Sequence, residues 1–543
     1  MPEFREPVTD TERVLRDACS FVLQVPASNI NLERSFVANG GDSISAMRVS
    51  PRCKAAEVVV PVATLLTNKS LADVAAHVSS SSAVASSFIT QSKELEEAAT
   101  GVTTACPQTE PFSLLHLSKS ELDDLLAQIA PTLCTPTSQV RDIAPTTHTQ
   151  ALCAEAAMYT PPQGFYIFYI DIPESAQLET IAAFAQELWD QIDMLRTVFI
   201  QRPDSSDLLQ VVTAQSPAPL QIHTVSETEN LHEKSERIFA ESIQSTLEPG
   251  ALWTKFIVLH RSGIPTRLAL RLSHAHYDGM SLPPLLECLA ATLQKKPWPI
   301  IPKFVDYVAH VYEKNEQTLQ HWRMTLLGSK PLPLQPTGDQ SRILTSTSVI
   351  QCPPKVSDST EASVFLATCA ETLARLHDTR DVHFSLTVSG RTLLPGSLDN
   401  IVGPCLNQVP LRVVLPPEPS FITTVGLVRQ AQLDMLPAEM ATLQDIYRTC
   451  TNWPEEHQKM MYNVHFHDLD SRSIDLLGDG VQTPLLTHEP RGVWEHSEAI
   501  WMVASPVDGT WQIVLSGNAS HCTSGYLDKI SDTLALVVAT ADV

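Results

Sequence analysis

Positive charge is scarce in this chain of 543 residues: 37 lysines and arginines stand against 61 aspartates and glutamates, a formal net charge of −24. A field of that sign repels phosphate backbones and anionic headgroups, which excludes nucleic acid and anionic membrane as natural partners. No run approaches the roughly 18 uninterrupted apolar residues of a spanning helix. The opening MPEFREPVTDTER has neither the apolar core of a signal peptide nor the Arg/Ser bias of a transit peptide. The 11 cysteines are odd in number and include no C-x-x-C pair. That speaks against a disulfide framework or a zinc ribbon and for reduced thiols in a cytoplasmic protein. Also missing are a G-x-S-x-G elbow, a G-x-x-x-x-G-K-[ST] loop and a G-x-G-x-x-G fingerprint, which removes hydrolase, nucleotide triphosphatase and dinucleotide readings. What is present, 43% hydrophobic and 18% charged residues, is the texture of an ordinary globular protein. At roughly 150 residues per domain the chain has room for several domain-sized units.

The first eighty residues read as a small helical bundle. Val14, Leu15, Ala18 and Val22 recur at helical spacing between Thr11 and Leu23. A polar connection leads to Gly40-Gly41-Asp42-Ser43 and a second helical stretch. Ser70 stands at the N-cap of a last helix striped with Leu71, Val74, Ala75 and Val78. A polar, acidic segment follows, with the texture of a linker. Within it Ser118 and Glu121 have capping-box spacing ahead of Leu122, Leu125, Leu126 and Ile129. From about Val140 onward, strands are predicted at Gly164–Ile172, Trp253–His260, Arg267–His274 and Trp511–Gly517. Helices are predicted at Leu178–Ile192, Leu282–Leu293 and Ala362–Leu376. Such a mixture implies α/β or α+β sheets in two lobes, divided near Pro297 to Pro302.

Two short constellations could carry chemistry. The G-G-D-S turn is, at its simplest, a glycine turn followed by a helix cap. A serine hydroxyl on an exposed loop at a helix start is also a good attachment point for a phosphodiester, because free N–H groups and the helix dipole favour the added charge. The second is Ser273-His274-Ala275-His276-Tyr277-Asp278-Gly279, between a predicted strand and a helix that Ser281 can cap. An imidazole there is placed for acid–base work. Two other readings stand beside it: a histidine merely hydrogen-bonded in a turn, and an H-x-H-x-D metal site joining His274, His276 and Asp278 to His465, His467 and Asp468. Against the metal, Gly279 stands where the final histidine of that type of signature belongs.

The string GGDSISAMRV, with LERSF before it and LTNKSLADVAAHV closing the unit, resembles a peptidyl-carrier (thiolation) domain over residues 8–80. The resemblance implies that Ser43 carries 4′-phosphopantetheine; Pro51 departs from the pattern and is expected to end the modified helix early. SHAHYDG resembles the H-H-x-x-x-D-G motif of nonribosomal-peptide condensation domains, in the variant with Ser in the first position. VRDIAPTTHTQ, DMLRTVF, FVDYVAH, HWRMTLLG and SGRTLLPGSLDNIVGPCLNQVPLRV resemble further motifs of that family, in order. This implies a two-lobed α/β (α+β) condensation domain of chloramphenicol-acetyltransferase-like type over 140–543, with lobes at about 140–300 and 301–543. Residues 81–139 form the linker with its short helix.

By the same resemblance His274 is the catalytic base, and backbone N–H groups near Gly279 face the developing oxyanion. Asp278 and Arg391 form a structural ion pair, Arg196 is structural, His276 is incidental, and no metal is required. Carrier first and condensation last, with no thioesterase after it, resembles the terminal condensation-like domains that release fungal peptides by cyclisation. The expected activity is intramolecular amide formation on a carrier-bound peptidyl thioester. The alternatives are ordinary condensation between two carrier-bound chains, a degenerate docking platform, and a metallo-hydrolase. The expected partners are the tethered peptidyl substrate, upstream synthetase modules and a phosphopantetheinyl transferase.

Overall fold

Leu15, Ala18, Cys19 and Val22 fall on one side of the helix Asp10–Leu23 and close over Phe36, Val49, Leu65, Leu71 and Val74 as a small separate core. The computed structural model describes residues 5–78 and 109–542, less positions 24, 42–44, 47–48, 51, 54–55, 57, 61, 67–68, 160–161, 204, 244–246, 333, 335–336, 338, 340–341, 354–355, 357–358, 393, 395–397, 399, 455–461, 467–472 and 489–498. The last helix of this unit, 71–78, starts where Ser70 Oγ accepts from Asp73 N at 3.1 Å. Pro51 lies outside the described residues, and positions 52–53 beyond it are helical. The helix Lys119–Ile129 begins with the expected reciprocal cap: Glu121 N donates to Ser118 Oγ and Ser118 N to the Glu121 carboxylate.

Three sheets make the rest. β1 (Val140–Pro145), β4 (Leu208–Thr213) and β3 (Thr197–Gln201) form a small antiparallel sheet with β4 central. A six-stranded sheet runs β12 (Ser473–Asp475), β13 (Gln482–His488), β2 (Phe165–Asp171), β7 (Ile264–Ser273), β6 (Lys255–Arg261), β5 (Leu220–Thr224). The second runs β10 (Asn407–Val414), β9 (Asp381–Val388), β11 (Tyr462–Phe466), β14 (Ile500–Val507), β15 (Thr510–Asn518), β8 (Ile343–Gln351). Each six-stranded sheet buries its apolar positions against helices. Phe256, Val258 and Leu272 pack with Leu188, Trp189 and Leu285 in one lobe; Phe384, Val464, Ile513 and Leu515 pack with Phe365 and Leu534 in the other.

The predicted division near 297–302 is only half the story. The helix Phe304–Thr325 begins just after it and feeds both cores, Tyr307 and Val308 into the first and Leu319 and Trp322 into the second. More tellingly, β12 and β13 return from late in the chain to the first lobe, Leu485 pairing opposite Ile170. Among the described residues no helix is long and apolar enough to cross a membrane.

Candidate active site

β7 ends at Ser273 beside Phe165 of β2, and the chain turns there because His274 N donates to the Gly164 carbonyl at 2.8 Å. His276 N then donates to Ser273 O at 2.8 Å and Ala275 N to Ser273 Oγ at 3.2 Å, which tightens the turn. The expected cap at Ser281 takes a different form. Asp278 is the capping residue, its Oδ1 accepting from Ser281 N at 3.0 Å to open a 3-10 turn, Gly279–Ser281, that runs directly into the helix Leu282–Leu293. The Ser281 hydroxyl is drawn away to Asp278 and the Gly403 carbonyl.

The His274 ring is half-buried between two tyrosines, stacked on Tyr277 at 4.6 Å and meeting Tyr166 edge-on at 5.2 Å. Its Nδ1 lies 3.2 Å from the Tyr277 carbonyl oxygen. A carbonyl only accepts, so Nδ1 carries the proton of the neutral ring and Nε2 is the basic nitrogen. Burial lowers the pKa of this imidazole, and the Tyr277 carbonyl and the Asp278 charge only partly offset it. The ring is therefore unprotonated at neutral pH and ready to accept a proton. Gly279 is the first residue of the 3-10 turn, where a backbone N–H has no acceptor inside the helix.

Asp278 points away from that space. Its carboxylate meets Arg391 in a two-pronged pair, Nη2 to Oδ1 at 2.8 Å and Nε to Oδ2 at 3.2 Å, with Cys405 N donating to Oδ2 at 2.9 Å. Arg391 donates further to the carbonyls of Ile401 (2.9 Å) and Gly403 (3.0 Å). Both side chains are less than a tenth exposed. Burial, the largest single influence, works against the Arg391 charge, but Asp278 together with Cys405 and Tyr307 outweighs it and the guanidinium stays above its ordinary value. Gly390 lets the S-G-R loop approach: its φ is +62°, and a Cβ there would lie 1.9 Å from the Cys405 carbonyl oxygen. Close by, Glu439 is buried with Oε2 lacking a hydrogen-bond partner among the described residues, and burial raises its carboxyl to about 7 despite the Thr392 hydroxyl.

The metal alternative does not fit this geometry. His274 faces the tyrosines, His276 is turned into the core on the Thr197 carbonyl, and Asp278 is engaged by Arg391. The three side chains share no point a cation could occupy, and among the described residues no group of three candidate ligands forms. His465 sits on β11 opposite Val503; His467 and Asp468 lie outside the described residues. Arg196 pairs with Asp193 and donates to the Thr213 carbonyl at 2.9 Å, within the first lobe. Sequence reasoning missed Tyr166 and Glu439 and set His276 aside. No spacing signals Tyr166 or Glu439, and the turn that aims His276 inward becomes visible only once β3 is in place.

Ser43 and Asp42 lie outside the described residues. The turn that leads to them is described. Gly40 takes φ +98° with no heavy atom within 4 Å of where a Cβ would be, and a Cβ on Gly41 would stand 2.3 Å from the buried Phe36 ring. The turn is seated tightly on Phe36 and open to solvent at Gly40, a conformation that glycine permits.

A carrier-like bundle followed by two sheet-bearing lobes, with a histidine turn secured between them, defines an acyltransferase of condensation type. Comparison with known families agrees: residues 140–468 match the Condensation domain and residues 13–78 the Phosphopantetheine attachment site. The chain belongs to the condensation-domain family and carries a 4′-phosphopantetheine attachment domain. It is 30% identical over 539 residues to the nonribosomal peptide synthetase ungA′ of Aspergillus campestris, covering 97% of this chain and 5% of that protein. With the enniatin synthetase of Fusarium oxysporum it shares 28% identity over 481 residues, 86% of this chain and 14% of that one. The chain thus spans only a small part of these fungal relatives. Among solved structures, "The crystal structure of CT" superposes with a TM-score of 0.66 at 22% identity, covering 79% of this chain and 98% of that one. The first condensation domain of the calcium-dependent antibiotic synthetase, bound to a substrate analogue, superposes at 0.51 and 17% identity, covering 74% and 97%. Both likenesses are of fold.

Proposed function

We propose that this chain releases a carrier-bound peptidyl thioester by intramolecular amide formation, as part of a nonribosomal peptide assembly line. In this reading residues 8–80 are the carrier, 81–139 the linker and 140–543 the condensation unit. Upstream synthetase modules and a phosphopantetheinyl transferase are its partners. The observation that carries the chemistry is the 3.2 Å contact of His274 Nδ1 with the Tyr277 carbonyl, which assigns the ring proton to Nδ1 and makes Nε2 the basic nitrogen.

When attached at Ser43, the phosphopantetheine arm supplies the activated thioester carbonyl. His274 orients an amine of the same peptide through Nε2 and accepts its proton as the new C–N bond forms; the C–S bond of the thioester then breaks, and that proton passes to the departing sulfur, which leaves as a free thiol. The amide of Gly279, at the start of a helix, is offered to the oxyanion that develops on the substrate carbonyl. Asp278 and Arg391 keep the turn that carries both groups. Carrier and site share one chain, so the encounter is effectively unimolecular and part of the barrier is removed by tethering.

The test is to load Ser43 with a short peptidyl-phosphopantetheine and weigh the product. A cyclic amide supports the reading. Release only on adding a second, acceptor-loaded carrier identifies ordinary condensation instead. Free acid points to hydrolysis, and an absence of any product that His274→Ala does not change points to a docking platform.

A further inference from the structure

His276 stands two residues beyond His274 with its ring wholly buried. Nε2 lies 3.0 Å from the carbonyl oxygen of Thr197, and since that oxygen can only accept, Nε2 holds the ring proton and donates it. Phe199 and Trp253 meet the ring edge-on at 5.2 and 5.8 Å. Nδ1, in the same apolar pocket, has no hydrogen-bond partner among the described residues. Burial, with the Arg271 charge adding to it, brings the pKa down to about 4 against the opposing influence of the Thr197 and Ser273 carbonyls, so the ring is neutral at physiological pH.

This is an expensive side chain for the place it fills. An orphaned buried acceptor is destabilising, and phenylalanine would occupy the same aromatic pocket without it. What phenylalanine cannot supply is the N–H. That one bond joins two sheets: Thr197 opens β3 of the three-stranded sheet, whereas His276 lies in the turn that ends β7. Beside it the Gln150 amide donates to the Ala275 carbonyl at 3.3 Å, a longer fastening of the same turn. From the other side Arg391 holds Asp278. The His274 turn therefore hangs between an anchor in the small sheet and an anchor in the second lobe.

We propose that His276 is a positioning residue, whose Nε2–H bond to the Thr197 carbonyl sets the placement of the turn that presents His274. The inference rests on the reading of His274 as the base. Two variants of the full chain separate the bond from the packing. H276F keeps an aromatic ring between Phe199 and Trp253 and loses the donor; H276Q keeps an Nε2 donor at similar reach.

Without any arm on Ser43, hydrogen exchange across residues 271–282 should be about tenfold faster in H276F than in wild type, with H276Q within about threefold of wild type. Equal protection in H276F and wild type overturns the proposal whatever the activity. With a peptidyl arm loaded, the single-turnover rate should fall about tenfold or more in H276F and largely return in H276Q. A wild-type rate in H276F, or an H276Q as slow as H276F, overturns it as well. Should H274A turn over like wild type, the reading of His274 fails, and the exchange measurement still decides that of His276.

Discussion

At the scale of single residues, the candidate site is governed by how each polar group is committed. His274 has one nitrogen bound to a main-chain carbonyl and a pKa lowered by burial from the ordinary 6.5. The neutral ring is the active form of a base, so the rate should climb as pH rises through an apparent pKa below 6.5 and then level off. A pH–rate profile of the loaded protein checks this, and an inflection above 6.5 would contradict the environment described. His274→Ala should slow turnover by about 10²–10⁴ while leaving Ser43 loading unchanged. Asp278 behaves differently, because its two oxygens are spent on Arg391, Ser281 and the Cys405 amide. Asp278→Ala leaves a buried guanidinium without its anion, and a loss of about 3–5 kcal/mol is expected in denaturant melts. Unchanged stability would show that the pair does not hold the turn.

At the scale of elements, Glu439 makes the segment after the 3-10 turn Leu436–Ala438 sensitive to pH. Its folded-state pKa of about 7 lies above the unfolded value near 4.5, so the folded chain holds this proton more tightly. The stabilisation is complete below pH 4.5 and is lost as pH rises through 7, about 3 kcal/mol in all. Glu439→Gln should flatten the stability profile across that window and raise the melting temperature at pH 8; an unchanged slope would refute the assignment. The helix Leu282–Leu293 was legible in the sequence because Leu282, Leu285, Leu286 and Leu289 repeat at helical spacing. β2 was legible as an apolar run, Phe165–Asp171. β12 and β13 were not. β12 has only three residues, β13 is mostly polar or exposed at its alternating positions, and their partner strand lies some three hundred residues earlier. Ser281 does stand at the N-cap of the helix Leu282–Leu293, but its hydroxyl makes no cap bond there because it is taken by Asp278, which is held by Arg391, 113 residues away. The histidine turn could be located from its motif; what surrounds it depends on distant strands.

At the scale of the whole molecule, carrier and condensation unit are covalently one, which fixes the kinetic order of the proposed reaction. Product formation from loaded protein should proceed at a rate constant independent of protein concentration, and Ser43→Ala should abolish both loading and product. A rate that rises with concentration would mean that one chain's carrier serves another chain's site. The return of β12 and β13 to the first lobe has a separate consequence, for recombination. A breakpoint near residue 300 looks like a natural place to exchange lobes between relatives. An incoming segment 140–300 would nevertheless arrive with β2 exposed along the edge where Leu485, Leu486, Thr487 and His488 belong, and the strand that should cover it would come from the other parent. A viable chimera has to inherit residues 473–488 together with the first lobe, in two separate pieces of gene, or accept a seam whose strands have never been selected to pair.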